Sequence, residues 1–379
     1  MSEYQYYEFQ AVDRLLTAGE QQELRALSTR ARITATSFVN SYQWGNFKGS
    51  RSRLVDRMFD LHLYLSNWGS RQFFLRLPKK FIDSAWLSSV LSEVDCVVTR
   101  IVGEHLVVEI ARDELEVEDI DDGAGQLAAF APLRANILSG DLRMFYLLWL
   151  TAVETDTFPD DAPEPLPGVG PLDGALDAFA AFFQIDADLV AAAAERNGQA
   201  GGEELKKSDI DAAIRALSDK ERLSLLSRLY DGDPFVGVGL RRRVHESVAA
   251  LACIKPQEPR TVGELRARAT EIAAARKRAS ETAAQVERER REAEEAQARK
   301  KRLAAVAARG ELVWRDVENE IERRNAAGYD RAKALLVDLR DVATSQERTN
   351  EFERRVGALR QQHARKGQFI DRLRSLADS

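Results

Sequence analysis

The chain has 379 residues, 44% of them hydrophobic and 31% charged, with a net charge of −6. That is too apolar for a disordered protein and long enough for two or three domains. No apolar run reaches membrane-spanning length, and two cysteines, Cys96 and Cys253, can build neither a disulfide framework nor a four-cysteine zinc site.

The opening Met-Ser-Glu-Tyr lacks the basic and apolar regions of a secretory signal, so the expectation is a cytoplasmic protein without membrane contact. Charge is segmented: residues 1–90 carry +4, residues 91–255 carry −16 and residues 256–379 carry +6. Such segments either serve different partners or neutralise one another. Fifteen of the 29 aromatic residues lie in the first 90, so the front of the chain can build a dense core.

Residues 4–12 are short and aromatic, which suits a strand. Thr17 and Glu20 have capping-box spacing and open a helix ending near Arg30. The β-branched stretch 33–42 predicts a second strand. Ser52 is expected to cap a helix whose apolar face is Val55, Met58, Phe59, His62 and Leu65. A strand follows over 72–77, and two Val/Ile-rich runs, 96–102 and 105–111, read as a hairpin about Gly103-Glu104. The expected fold class is therefore α+β: a mixed N-terminal domain over 1–112, an acidic all-α middle over 113–255, a long charged helix over 256–310 and a C-terminal helical hairpin over 311–379.

Five of the ten prolines fall in 158–171, which reads as a stiff connector within the middle segment. From Thr261 to about Ala308, alanine, arginine and glutamate dominate, and Leu265, Ile272, Ala279, Val286 and Ala293 recur every seven residues. This is either a coiled-coil strand open to self-association or a solvated charged helix, because Arg276 and Arg290 interrupt the second seam. Tyr329, Ala332, Leu335, Leu336, Leu339 and Val342 make one stripe of the hairpin; Phe352, Val356, Leu359 and His363 make the facing one.

Catalytic, metal and cofactor motifs are not found. His62 has Asp56 and Asp60 nearby in sequence, but they point off its stripe, so a core histidine is expected. Asp119, Asp121 and Asp122 before Gly123 lack the remaining ligands of a calcium loop. Gly168-Val169-Gly170 does not sit between a strand and a helix, and neither a Walker lysine nor a Gly-x-Ser-x-Gly elbow occurs. No catalytic residue, metal ligand or cofactor is assigned, and an enzyme of unknown class is the least favoured alternative.

Two interaction readings remain. In the first, the chain is a non-enzymatic adaptor or structural subunit, docking other proteins through Trp44, Phe47 and Trp68 and through its helical arm. In the second it is an accessory nucleic-acid-binding subunit. Cations for phosphates and rings for bases are what single strands require. Lys48, Arg51 and Arg53 follow Trp44 and Phe47, and Arg241, Arg242 and Arg243 and the helical Arg276, Lys277 and Arg278 add basic patches. The bland alternative is that these arginines pair with the acidic middle.

The stretches YQYYEFQAVDRLL (4–16), FVNSYQWGNFKG (38–49) and LYLSNWGSRQFFLRLP (63–78) resemble a family of uncharacterised bacterial cytosolic proteins, which implies a recurring module without an assigned activity. The ending, YDRAKALLVDLRDVA (329–343) with FERRVGALRQQHARKGQFIDRL (352–373), is similar to the tails of SWIM zinc-finger proteins. The finger's Cys and His ligands are missing, so no zinc role is implied; a shared docking element is.

Overall fold

The computed structural model describes residues 3–117, 122–196, 205–251 and 258–377. The fold is α+β, as expected, with a seven-stranded antiparallel sheet followed by helices. The strands are β1 (Gln5–Gln10), β2 (Arg32–Ile33), β3 (Ser37–Tyr42), β4 (Leu61–Ser66), β5 (Arg71–Pro78), β6 (Val97–Val102) and β7 (His105–Arg112), in the spatial order β2-β3-β1-β4-β5-β7-β6. Helix α1 (Ala18–Leu27) begins at the expected Thr17–Glu20 capping box. The expected strand over 33–42 is two strands, because Thr34 turns the chain: its hydroxyl accepts from the Ser37 amide, and β2 folds back on β3.

The largest correction concerns residues 51–66. Ser50, not Ser52, caps a short helix, α2 (Arg51–Arg57), and residues 61–66 form the central strand β4. Val55, Met58, Phe59, His62 and Leu65 match a helical stripe by coincidence. β4 is buried on both faces, and a strand of that kind reads as a continuous apolar run in which period 2 is invisible.

Alternation along the strands splits the apolar residues between two cores. Leu61, Leu63, Leu65, Phe73, Leu75, Leu77, Val108 and Ile110 face one side. They are covered by α3 (Ser84–Leu91), α4 (Gln126–Leu138), α5 (Arg143–Glu154), α6 (Gly174–Phe182) and α7 (Ala187–Ala194), and by the start of α11 (Val262–Arg309). Tyr7, Phe9, Phe38, Tyr64, Phe74 and Val107 face the other side, under α1 and α2.

His62 is the core histidine its position suggested, fully buried and stacked on Phe9 at 3.9 Å between ring centroids. Its Nδ1–H donates to the Glu8 carbonyl at 2.9 Å, and Nε2 has no partner among the described residues. Burial lowers its pKa to about 3. An unfolded imidazole titrates near ~6.5, so between those values the unfolded chain binds the extra proton. Stability from this group is whole above about pH 6.5 and falls as pH drops, by up to about 1.4 kcal/mol per pH unit. The His62→Phe chain should lose that part of the slope between pH 7 and pH 5 in urea unfolding; an unchanged slope would disprove the assignment.

The residues after the sheet are more tightly packed than a connector requires. Within 158–171, Glu164 and Val169 are buried, and Pro163 bridges Thr261. Three further helices, α8 (Lys207–Ala216), α9 (Asp219–Tyr230) and α10 (Val236–Leu251), complete this part. Of the acidic stretch 113–122, residues 118–121, which include Asp119 and Asp121, lie outside the described residues, as does Cys253.

The chain divides into two compact units, residues 1–276 and 277–379. In the second, α12 (Glu311–Glu322), α13 (Ala326–Ser345), α14 (Thr349–Gln362) and α15 (Gly367–Ala377) surround their own core of Val313, Val317, Ile321, Tyr329, Leu336, Phe352 and Phe369. The hairpin stripes meet there as expected, and a break at 363–366 separates α14 from α15. Along α11, Ala279, Val286 and Ala293 are exposed, Val286 by 60%. The middle of the long helix is thus solvated in the monomer.

Candidate interaction surface

α2 has only seven residues, so it covers the second face of the sheet incompletely. Beside it a concavity of about 260 Å³ opens, lined by Gln5, Tyr7, Phe47, Gly49, Arg51, Tyr64 and Trp68, with Asn46 at its edge. Three residues singled out in the sequence, Phe47, Arg51 and Trp68, are thereby brought to one place, although β1, the loop before α2 and the β4–β5 turn are far apart in the chain.

Each is held by a specific device. Trp68 sits at the β4–β5 turn, where Gly69 has φ +88° and a Cβ would lie 2.2 Å from the Leu115 carbonyl oxygen. Only glycine fits this left-handed, crowded position. Trp68 is left 46% exposed. The loop 43–50 is clamped by Gln5, itself buried: its Nε2 donates to the Gly45 carbonyl and the Asn46 Oδ1, both at 3.1 Å. That loop presents Trp44, 76% exposed, and turns Phe47 inward against Tyr7, Phe9 and Phe38. Phe47 is therefore half core and half lining, rather than a free anchor. A Cβ on Gly49 would meet its ring at 2.6 Å.

The polar floor is a closed network. The Gln5 Oε1 accepts from the Tyr7 hydroxyl at 2.6 Å and from the Tyr64 hydroxyl at 3.4 Å. The Arg51 guanidinium stands 5.0 Å from the Tyr64 ring centroid, a cation–π arrangement. Burial, and then the proximity of Tyr64, raises the Tyr7 phenol well above its ordinary value, and burial raises Tyr64 as well. Both stay neutral at physiological pH and serve as apolar surfaces with satisfied hydroxyls rather than as bases.

A second, wider concavity of about 400 Å³ shares Gly49 and Arg51 and extends over Gln72, Phe74, Asp95, Cys96, Val98, Glu109 and Ala111. Its Glu109 is held by Arg100, which also binds Asp56. Burial raises the Cys96 thiol, so no thiolate is offered there at neutral pH. At its edge, β6 pairs with β7 alone and leaves Val98 and Ile101 exposed.

The basic residues fall into two groups. Lys48 and Arg53 are exposed and make no ion pair among the described residues, while Arg51 lines the hollow against Tyr64. Of the other patches, Arg242 pairs with Glu246, Arg243 with Glu221 and Arg276 with Asp188, while Arg241, Lys277 and Arg278 are exposed. Arg266 and Arg268 likewise hold Asp160 and Glu195. Much of the positive charge at the start of α11 is spent on the acidic middle, the bland alternative raised by the charge segments.

His62 is not brought to Asp56 or Asp60. Asp60 instead binds Arg76, and Asp56 binds Arg100. Sequence reasoning missed Gln5, Tyr7 and Tyr64: Gln5 and Tyr7 alternate onto one face of β1, while Tyr64 lies in β4, where period 2 is invisible. No helix among the described residues is long and apolar enough to cross a membrane, and no group of three or more His, Cys, Asp or Glu side chains among them could hold a metal ion. No protein-family model, curated protein or solved structure matches the chain.

Proposed function

We propose that the protein is a non-enzymatic cytoplasmic adaptor whose sheet domain receives a segment of a partner polypeptide in the concavity beside α2, while its C-terminal helical unit engages a second protein. One observation carries this reading. Four aromatic side chains, Tyr7, Phe47, Tyr64 and Trp68, line one open hollow with both tyrosine hydroxyls already satisfied, and the exposed Trp44 stands on the same loop as Phe47. Buried aromatic anchors in a hollow, rimmed by polar groups, are the anatomy of an interaction hot spot.

The second reading, single-stranded nucleic acid on the same surface, is favoured by Arg51 and Trp68 in one hollow and by the exposed Trp44, Lys48 and Arg53 nearby in sequence. The ion pairing of Arg242, Arg243 and Arg276 weighs against a wider basic track.

Recovering tagged chains from the source cells tests the choice. The wild type should retain a protein that the Trp44→Ala/Trp68→Ala chain loses, and single-stranded oligonucleotides should show no salt-dependent binding. Steeply salt-dependent oligonucleotide binding that the same double variant abolishes would establish the second reading instead.

A further inference from the structure

The side chains lining the hollow beside α2 offer hydrogen-bond donors, while each of their amide oxygens already accepts. The Gly45 carbonyl can only accept, so the Gln5 atom 3.1 Å from it is the amide nitrogen, which donates to Asn46 Oδ1 as well. The other end of the Gln5 amide, Oε1, is filled by the Tyr7 and Tyr64 hydroxyls. Asn46 is left with its Nδ2 hydrogens, which have no partner among the described residues. The Trp68 indole N–H has none there either. Arg51 is partly buried and makes no hydrogen bond or ion pair among the described residues. Contact with the Tyr64 ring positions its guanidinium while the N–H donors keep no oxygen partner. The lining residues include no Asp or Glu, so this positive charge has no counter-ion in the hollow.

A positioned cation with neighbouring donors and apolar walls complements a group that is negative and only accepts hydrogen bonds. We infer, on the docking role proposed above, that the hollow takes the carboxylate of an aspartate or glutamate side chain of the partner polypeptide. Arg51 binds that carboxylate, Asn46 Nδ2 and the Trp68 indole N–H are the supporting donors, and an apolar residue next to it packs against Phe47 and the Trp68 ring. The volume of about 260 Å³ is below the roughly 300–1,000 Å³ of sites that enclose a whole small molecule, and suits the side chains of a segment. A phosphodiester offers similar acceptors, but a nucleic-acid strand calls for a groove of cations that tracks its backbone. Among the described residues, Arg51 is the only cation lining this hollow.

The test uses the full chain on arrays of short peptides of otherwise random sequence. The central residue is fixed as Glu, Asp, Gln, Lys or phosphoserine, and the next one as Phe, Leu or Gly. Glu and Asp peptides followed by Phe or Leu should bind the wild type about tenfold or more above the matching Gln peptides. Arg51→Met, which removes the charge and keeps an apolar stem, should abolish that preference, and Arg51→Glu should transfer it to the Lys peptides. Trp68→Ala should weaken every set. Far-UV circular dichroism and urea midpoints confirm that each variant folds. Trp68-dependent binding that is equal for Glu and Gln, or an acidic preference that survives Arg51→Met, would overturn the carboxylate and leave the docking role standing. Binding confined to phosphoserine, or an oligothymidylate that displaces every peptide set, would overturn it in favour of a phosphate. Binding of no set, or binding indifferent to Trp68→Ala, would remove the docking role and the carboxylate together.

Discussion

Replacing Asp60 with alanine is expected to cost about 3–5 kcal/mol of stability, the range for stranding a buried ionic partner. Asp60 is fully buried at the start of β4. It accepts from the Val12 amide at 2.6 Å and the Asp13 amide at 2.9 Å, and binds Arg76 Nη2 at 2.8 Å. Arg134 of α4 approaches to 4.0 Å and is shared with Asp13. Burial alone would raise the Asp60 carboxyl, but Arg76, the two amides and Arg134 outweigh it and hold it below the ordinary carboxylate range. The stability it contributes is present above the unfolded carboxyl's pKa and is lost as pH falls through the lower folded value. Without the carboxylate, Arg76 remains in the interior with no carboxylate bound, and Arg134 is left with Asp13 alone. Urea unfolding at neutral pH measures the effect; a loss below about 1 kcal/mol would show that water or neighbouring groups replace the carboxylate. The Asp60→Asn/Arg76→Met pair should cost less than the sum of its single changes, because the two residues act as one unit.

The second large effect concerns Arg260. Its guanidinium binds Glu164 at 3.0 Å and the Ala192 carbonyl at 2.7 Å, while the Tyr146 hydroxyl donates to Glu164 at 2.6 Å. All three side chains are buried. The cluster ties the proline-rich stretch to the residue just before α11, and the Arg260 amide donates to the same carboxylate. The Arg260→Ala change leaves the Glu164 charge with only the Tyr146 phenol and the residue-260 amide as donors, with an expected loss again of about 3–5 kcal/mol. Arg260→Lys should rescue little, because an ammonium cannot supply the planar fork that satisfies Glu164 and Ala192 together. Limited proteolysis should then cut within 158–171 in the alanine variant before it does in the wild type. Equal cleavage and equal urea midpoints would mean that the stretch is held by its apolar contacts alone.

Much of the architecture was legible where local rules and packing agree. The Thr17–Glu20 box, the β6–β7 hairpin about Gly103, the alanine–arginine–glutamate helix and the stripe from Tyr329 to Val342 each need only neighbours in sequence. β4 was not legible, because a strand buried on both faces presents no alternation, and Val55, Met58, Phe59, His62 and Leu65 happen to fall at helical spacing. The interaction surface was half legible. Trp44, Phe47, Trp68 and Arg51 were marked by residue type. The convergence of Phe47, Arg51 and Trp68 depends on β1 lying between β3 and β4, and on the Gln5 amide reaching a loop 40 residues away, which no local pattern encodes. The arginine patches were visible as patches, but their partners were not: Arg276 meets Asp188 across 88 residues. Type and spacing identify charge, while only the fold decides whether it is spent.

The most direct test of the docking surface is photo-cross-linking in the source cells, with a benzophenone amino acid placed at position 68 and, as control, at position 23, an exposed site on α1. The account predicts a discrete protein adduct at 68 that is absent at 23 and is lost when Trp44 is also changed to alanine. Adducts to nucleic acid only, or identical protein adducts at both positions, would contradict it.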